Sequence, residues 1–210
     1  TGEKANRPAC YSRAHYGFGH GLLLTGDTSY VDTWRGVLDK VNENAREEEG
    51  QTVYPHMHGA DGWYDFRPHP FSPGVHDVWY WSQRDSDRQR IAGDKWVQFL
   101  EGDNPLYPEA ELDRSLAQVR DRMSRMAADD TAPDTRLSDD MNSINPAVTE
   151  SLVRLMLGGI PVGRSAHTLH CRLRYFDPET RRAGLPPDVA ALVDAMSDDE
   201  VRVQLINLDP

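Results

Sequence analysis

A row of apolar residues at helical spacing, directly behind a capping residue, is the feature that most restricts the fold of this chain. Four apolar residues after Asp27 recur at intervals of three, four and three positions: Val31, Trp34, Leu38 and Val41. This spacing places them on one face of an α-helix. Aspartate is a preferred N-cap residue. We therefore predict a helix from position 28 to about 46 that buries this face.

The same combination of capping signals and helical spacing recurs along the first 160 residues. It predicts further helices over residues 13–24, 73–83, 95–100, 107–126 and 146–157. The helix that begins at Tyr107 carries apolar residues at helical spacing: Leu112, Leu116, Val119, Met123 and Met126. Residues 50–71 are predicted to form a loop with short extended pieces. After Pro161, alternation predicts strands over 169–175 and 201–205, with a helix over 188–196 between them.

The composition limits the partners that the chain is expected to have. Its 210 residues carry 34 acidic against 23 basic side chains, a net charge of −11. This field repels nucleic acid and anionic membranes, so we expect neither as a partner. No stretch approaches the roughly 20 apolar residues that span a bilayer. Cys10 and Cys171 leave one long-range disulfide open but exclude a cysteine-rich framework.

The chain is expected to have two parts. Residues 1–160 read as a helical-hairpin region, and residues 161–210 read as an α/β segment that begins a C-terminal β domain. Because the chain starts in a polar segment without Met and ends within a predicted strand, we expect a fragment of a longer protein. The localisation and the oligomeric state are left open.

Residues 54–81 concentrate the side chains that could carry chemistry. The segment holds four of the eight histidines, three of the five tryptophans and several carboxylates. Aromatic rings that cover the C–H face of a sugar, combined with polar groups for its hydroxyls, are typical of a carbohydrate site. The segment therefore predicts a site for a polar small molecule or a carbohydrate.

Six residues of this segment are catalytic candidates: His56, His58, His76, Tyr64, Asp61 and Asp65. Histidines titrate near neutral pH and suit proton abstraction from a sugar carbon, with a tyrosine as the acid. Two of the carboxylates would instead suit glycoside hydrolysis. No cofactor is expected. The alternative is a divalent metal at His56 and His58, whose rings share one side of an extended backbone.

Seven residues are candidates for substrate binding through stacking or polar contacts: Trp63, Tyr54, Arg67, His69, Tyr80, Tyr16 and Arg136. Trp63 follows Gly62 and is the preferred stacking residue. Trp79 and Trp81 lie about 200° apart on a helix, so one of them is expected in the core.

Residues 22–41, LLLTGDTSYVDTWRGVLDKV, resemble the helical hairpins of the (α/α)-toroid carbohydrate-active enzymes. These enzymes include six-hairpin glycosidases, unsaturated glucuronyl hydrolases, polysaccharide lyases and N-acylglucosamine 2-epimerases. The resemblance implies a mainly α fold in which helical hairpins form part of a toroid, followed by the start of a β-containing module. It implies a glycoside hydrolase or polysaccharide lyase that acts on a poly- or oligosaccharide. The alternatives are a sugar epimerase or isomerase and a non-catalytic helical array that binds glycan or is structural.

Overall fold

The computed structural model of the protein describes residues 14–135, 141–161 and 169–210. Its helices are α1 (Ala14–Thr25), α2 (Ser29–Asn42), α3 (Val75–Ser82), α4 (Asp85–Arg88), α5 (Lys95–Leu100), α6 (Tyr107–Ala128), α7 (Met141–Ile144) and α8 (Glu150–Leu157). Its strands are β1 (Arg46–Glu48), β2 (Gln51–Gly59), β3 (Gly62–Arg67), β4 (Gly159–Ile160), β5 (His170–Cys171), β6 (Phe176–Asp177), β7 (Arg182–Ala183), β8 (Val189–Met196) and β9 (Val201–Asn207).

The observed fold class is mixed α and β, and the prediction of a mainly α (α/α) toroid is wrong. The described strands form four small antiparallel sheets, one of three strands and three of two. A toroid is built from successive helical hairpins, whereas here a three-stranded sheet follows α2 directly. The resemblance of residues 22–41 therefore reflects a local helical hairpin and does not extend to the architecture.

The described chain divides into two compact units. The first contains residues 14–93 together with 169–170 and 197–199, and the second contains 94–161, 171–196 and 200–210. The predicted boundary at residue 160 stays a prediction.

Helices α1 and α2 of the first unit form the expected antiparallel hairpin. The ring of Tyr30 packs against Gly21, where an added Cβ would lie only 2.8 Å from it. The ring of Trp34 lies 6.0 Å from that of Phe18. Residues later in α2 therefore contact residues earlier in α1, as expected for antiparallel helices. The Asp27 carboxylate accepts a hydrogen bond from the backbone N–H of Ser29 over 2.9 Å, so this residue holds the start of α2 as predicted.

The face predicted for α2 is confirmed. Its four apolar residues are all buried, with Leu38 completely inaccessible. They pack with α3, whose apolar side chains Val75, Val78, Trp79 and Tyr80 are also buried. Trp79 is thus the core tryptophan that helical geometry demanded. Helix α3 begins at Val75 after Gly74 in a left-handed conformation (φ 88°), two residues later than the predicted start at Pro73.

The prediction of a loop over residues 50–71 is wrong, because β2 and β3 form a long hairpin there. The pairing runs from Tyr54 opposite Arg67 to Gly59 opposite Gly62, which leaves Ala60 and Asp61 as a two-residue turn. Gly62 has a φ of 95°, and glycine meets this requirement at little cost. The dipeptide Asp61-Gly62, with its glycine at positive φ where β3 begins, is a turn signal in the sequence. Pro55 inside β2 obscured it, since proline disfavours a strand in sequence-based reasoning.

The second unit begins with the cap predicted at Asp94, which is confirmed. The Asp94 carboxylate accepts hydrogen bonds from the backbone N–H groups of Trp96 and Val97 over 2.9 and 3.1 Å. Helix α6 follows from Tyr107, also as predicted. Helix α8 lies against α6, where the Ser115 hydroxyl donates to the Ser151 hydroxyl over 2.9 Å in a buried position.

Two further elements differ from expectation. Residues 189–196 form strand β8, not a helix, and pair antiparallel with β9 from Val189 opposite Asn207 to Met196 opposite Val201. Alanine, leucine and methionine favour helices, but the partner strand outweighs that intrinsic preference. The strand predicted over 169–175 is confined to His170–Cys171. It ends because the N–H groups of Arg172 and Leu173 both donate to the carbonyl of Leu157.

Candidate functional site

The first unit contains a cleft of about 540 Å³ beside the C-terminal end of α2. Its lining combines polar and apolar side chains. Asp39, Asn42, Glu43 and Arg90 make up a polar part, called the polar wall, and the remaining lining residues are Tyr54, His69, Pro70, Phe71, Ser72 and Val75. A pocket of this size with apolar surface and a few convergent polar groups is typical of a small-molecule site.

The polar wall follows from the periodicity of α2. Asp39, Asn42 and Glu43 are separated by three and four residues, so they share a helix face beside the buried stripe. Asn42 also holds the segment that contains Phe71. Its amide nitrogen donates to the carbonyl of Phe71 over 3.1 Å, and its amide oxygen accepts the N–H of Phe71 over 2.8 Å. This pair of hydrogen bonds fixes the segment that carries His69 and Phe71 against α2.

The carboxylates of the cleft are held by cations yet stay accessible. Asp39 pairs with Arg90, and Glu43 pairs with Lys40 over 2.8 Å. The Asp39 side chain is 42 % exposed and that of Glu43 is 58 % exposed. Exposed ion pairs of this kind contribute little to stability, since water competes for both partners. A bound ligand can therefore take over contacts with either carboxylate at low cost.

The β2–β3 hairpin gathers many of the predicted site residues on one face. Alternation puts Tyr54, His56 and His58 on the same side of β2. On β3, Arg67 lies opposite Tyr54 and Trp63 lies opposite His58. Of this group, only Tyr54 is among the residues that line the cleft.

His56 and His58 turn to different neighbours, although they share a strand face. The ring of His56 lies 5.0 Å from that of His69 and 5.4 Å from that of Phe71, and its Nε2 is 3.1 Å from the carbonyl of His69. The ring of His58 stacks edge-on against Trp63 at 4.7 Å. Within the part of the chain that is described, no group of three or more His, Cys, Asp or Glu side chains is arranged to hold a metal ion.

The other predicted residues are distributed around the hairpin and α3. Asp65 binds Arg67 over 2.7 Å, and this hydrogen bond lowers the pKa of the Asp65 carboxyl. Asp61 is exposed in the hairpin turn, and Tyr64 pairs with Met57 on the opposite face from the histidines. His76 is half-buried in α3.

Three substrate-binding candidates have a different status. Tyr80 is completely buried and belongs to the core, so its ring is inaccessible to a sugar. The side chain of Tyr16 and the whole of Arg136 lie outside the described residues.

Sequence reasoning missed eight of the ten residues that line the cleft, among them four with charged or amide side chains: Asp39, Asn42, Glu43 and Arg90. The signal for the first three was present, since polar residues at positions i, i+3 and i+4 flank the apolar stripe of α2. Arg90 gave no such signal, because it approaches Asp39 from 51 residues further along the chain.

A buried polar cluster in the first unit was also missed. The indole N–H of Trp81 donates to Nδ1 of His170 over 2.9 Å, and Nε2 of His170 lies 3.4 Å from Oδ1 of Asp77. The side chains of His170 and Asp77 are 2 % and 6 % exposed. Burial raises the pKa of Asp77 to about 6, and the nearby His76 opposes this shift. Trp81 is half-buried, and none of the three cluster residues is among those that line the cleft.

Comparison with known proteins gives one match. The model of a family described as "Domain of unknown function (DUF8034)" matches residues 92–153. The matched segment covers less than a third of the chain and runs from the end of the first unit through α5, α6 and α7 into α8. No curated protein and no solved structure matches the chain. In the described ranges, no helix combines the length and the apolar character needed to cross a membrane.

Proposed function

We propose that the protein binds a saccharide in the cleft beside α2. The observation that carries this proposal is that a cleft of about 540 Å³ is lined both by polar α2 side chains and by Tyr54, Phe71 and Val75. A sugar ring presents C–H groups on its faces and hydroxyls at its edge, so it needs both kinds of surface at once.

The charges of the cleft favour a neutral saccharide. The two carboxylates of the cleft are each paired with a cation, Asp39 with Arg90 and Glu43 with Lys40. The described residues that line the cleft therefore offer no unpaired Lys or Arg to an anion. The net charge of the chain is −11, which adds a repulsive field for anions. A uronic-acid polysaccharide would meet this excess of negative charge, whereas sugar hydroxyls donate hydrogen bonds to carboxylates.

The test is ligand-observed NMR with a panel of neutral and uronic-acid oligosaccharides, followed by titration calorimetry on any ligand detected. Asp39→Asn removes a charged acceptor and Tyr54→Ala removes an aromatic ring from the lining. We expect each change to raise Kd by about tenfold, which corresponds to one charge-assisted hydrogen bond or one stacking contact.

Asp61→Asn is the matched control, because Asp61 is an exposed carboxylate in the hairpin turn and does not line the cleft. It should leave Kd unchanged. Absence of binding across the panel at millimolar concentrations, or equal losses in all three variants, would contradict the proposal.

Glycoside hydrolysis is the second candidate, and one observation favours it. Asp39 and Glu43 are one helical turn apart and both line the cleft. Residues at positions i and i+4 have Cβ atoms about 5–6 Å apart, near the separations of about 5–9.5 Å at which two carboxyl groups act on a glycosidic bond. Lyase and epimerase chemistry on His58 or His76 has no such support, since neither histidine is among the residues that line the cleft.

Hydrolysis of aryl glycosides tests this second candidate. If the two carboxylates act together, Asp39→Asn and Glu43→Gln should each lower kcat by at least about a hundredfold, as for the loss of a general acid or base. Saccharide binding by the Glu43→Gln variant should persist. Turnover that survives both substitutions would refute a catalytic role for this pair while leaving the binding proposal intact.

A further inference from the structure

Helix α6 exposes a continuous apolar stripe. Leu112, Leu116, Met123 and Met126 are 40 %, 51 %, 52 % and 46 % exposed, and Val119 between them is half-buried. The residues follow one another at intervals of four, three, four and three positions, which is the spacing of the a and d positions in a coiled-coil seam. Four large side chains exposed in one row go beyond the scattered apolar residues of an ordinary surface.

The contacts that α6 makes within its own unit use a neighbouring face. Glu111 and Ser115 are its buried residues beyond the first turn. Ser115 meets Ser151 of α8, and the Arg122 guanidinium donates to the carbonyl of Asn145 over 3.0 Å. The apolar stripe therefore lies beside the surface that α8 occupies, and its other flank carries the exposed charges of Asp113 and Arg120.

We propose that this stripe is the contact between two copies of the chain, with their α6 helices packed antiparallel. The seam spacing defines the register: Leu116 of one copy lies opposite Val119 of the other, and Leu112 lies opposite Met123. The arrangement has twofold symmetry, so each pair of contacts occurs twice.

The charges beside the seam select the second copy as the occupant. The spacing of the stripe puts Leu112 and Val119 at d positions. Asp113 and Arg120 directly follow these two residues, so both occupy e positions. In the antiparallel register, Asp113 of one copy meets Arg120 of the other, and the symmetric pair forms as well. The surface is therefore complementary to itself in charge as well as in apolar spacing.

A parallel pairing lacks this complementarity. There an e-position residue meets the g position that precedes it by five residues in the other helix. Asp113 would then face Pro108, and Arg120 would face Ser115, which already bonds to Ser151. No pair of opposite charges forms along the described seam in that arrangement, so the antiparallel one is favoured.

The length of the seam limits the strength of the association. It spans about two heptads, or roughly 21 Å at 1.5 Å per residue. Such a contact is at the small end of specific interfaces, below about 1,200 Å². We expect a reversible dimer with a Kd on the order of 10 µM.

Sedimentation equilibrium from about 1 to 200 µM tests the dimer directly. The full chain should move from monomer towards dimer across this range, which brackets the expected Kd. Leu116→Glu places a charge in the seam and should hold the chain monomeric. Ala117→Glu is the matched control, since Ala117 is exposed on the same helix but outside the stripe. A chain that is monomeric at every concentration, or a dimer that Leu116→Glu leaves unchanged, overturns the proposal.

Charge reversal tests the register and the antiparallel direction. Asp113→Arg and Arg120→Asp each place like charges opposite one another, and each should raise the Kd of the homodimer by about tenfold, because two exposed ion pairs become repulsive. Mixing the two single variants restores both attractive pairs, so the mixture should associate at least as strongly as the wild type. Failure of the mixture to associate, with helicity by circular dichroism unchanged, refutes the antiparallel register.

Discussion

The indole N–H of Trp81 donates a 2.9 Å hydrogen bond to Nδ1 of His170, 89 residues further along the chain. An Nδ1 that accepts this bond carries no proton, so the proton of the neutral ring is on Nε2, which faces Oδ1 of Asp77 at 3.4 Å. The buried carboxyl of Asp77 thus faces a neutral imidazole N–H. This arrangement links the tautomer of one buried residue to the ionisation of another.

The first prediction concerns pH and Asp77. Burial raises the pKa of this carboxyl from 3.8 to about 6, so between these values the folded chain holds a proton that the unfolded chain has released. The stability that the raised pKa contributes is complete below about pH 4 and is lost as the pH rises through about 6. Asp77→Asn keeps the group neutral, and should exceed the wild type in unfolding free energy above pH 6 by about 2–3 kcal/mol.

Urea denaturation of the wild type and of Asp77→Asn at pH 4, 5, 6 and 7 measures this difference. The two proteins should differ least at pH 4 and most at pH 7. Parallel stability profiles over the whole range would show that Asp77 is ionised at the same pH in the folded and unfolded chains.

The second prediction concerns the hydrogen bond that the indole N–H of Trp81 donates to His170. Trp81→Phe keeps an aromatic ring but removes the N–H that reaches His170. Loss of one hydrogen bond to a buried acceptor should lower the unfolding free energy by about 1–3 kcal/mol. The nitrogen chemical shifts of His170 in NMR should change as well, because they report the tautomer. Trp63→Phe, on the hairpin, should change stability by less than about 0.5 kcal/mol.

The third prediction compares two glycines. Gly74 has a φ of 88°, and a Cβ there would lie 2.5 Å from Nε1 of Trp34. Gly74→Ala should therefore destabilise the fold by more than about 2 kcal/mol, through both backbone strain and overpacking. Gly36 lies within α2 with open space around its Cβ position. Gly36→Ala should stabilise the fold by about 0.5–1 kcal/mol. Thermal unfolding of both variants checks the opposite signs, and destabilisation by both would contradict the prediction.

The fourth prediction concerns the two hydrogen bonds that join Asn42 to the backbone of Phe71. Asn42→Ala removes both hydrogen bonds to the backbone of Phe71, and should cost about 1–3 kcal/mol of stability. Hydrogen exchange at the Phe71 amide should accelerate more than exchange in the interior of α3. Asn44→Ala is the control, since the Asn44 amide donates to the carbonyls of Lys40 and Val41 within its own helical turn. Unchanged exchange at Phe71 in Asn42→Ala would show that other contacts hold this segment.

Sequence reasoning predicted some helix caps and the buried face of α2 well, although α8 begins at Glu150 and not at the predicted position 146. Asp94 caps α5 as expected, and Leu38 is buried on the predicted face of α2. Both depend on residues within one or two helical turns, so local chemistry decides them. The α6 spacing was also predicted, but its apolar stripe is exposed, since its surroundings depend on how α8 packs.

The strand predicted over 201–205 is confirmed as β9. Other strands were predicted poorly, because a strand is stabilised by a partner that the local sequence does not reveal. Residues 189–196 have the alanine and leucine content of a helix, yet β9 supplies their hydrogen bonds. The β2–β3 hairpin contains a proline that argues against a strand, and its register nevertheless places His56, His58 and Trp63 on one face.

The sequence by itself determined the helical hairpin of α1 and α2, the starts of α5 and α6, and the concentration of histidines and aromatic rings between positions 54 and 81. These follow from propensities, caps and spacings within a few residues. Only the tertiary structure decided that Asp39 and Arg90 meet in the cleft, that Tyr80 belongs to the core, and that Trp81 and Asp77 enclose His170. Such pairings join distant parts of the chain, and the burial of the whole unit brings them together.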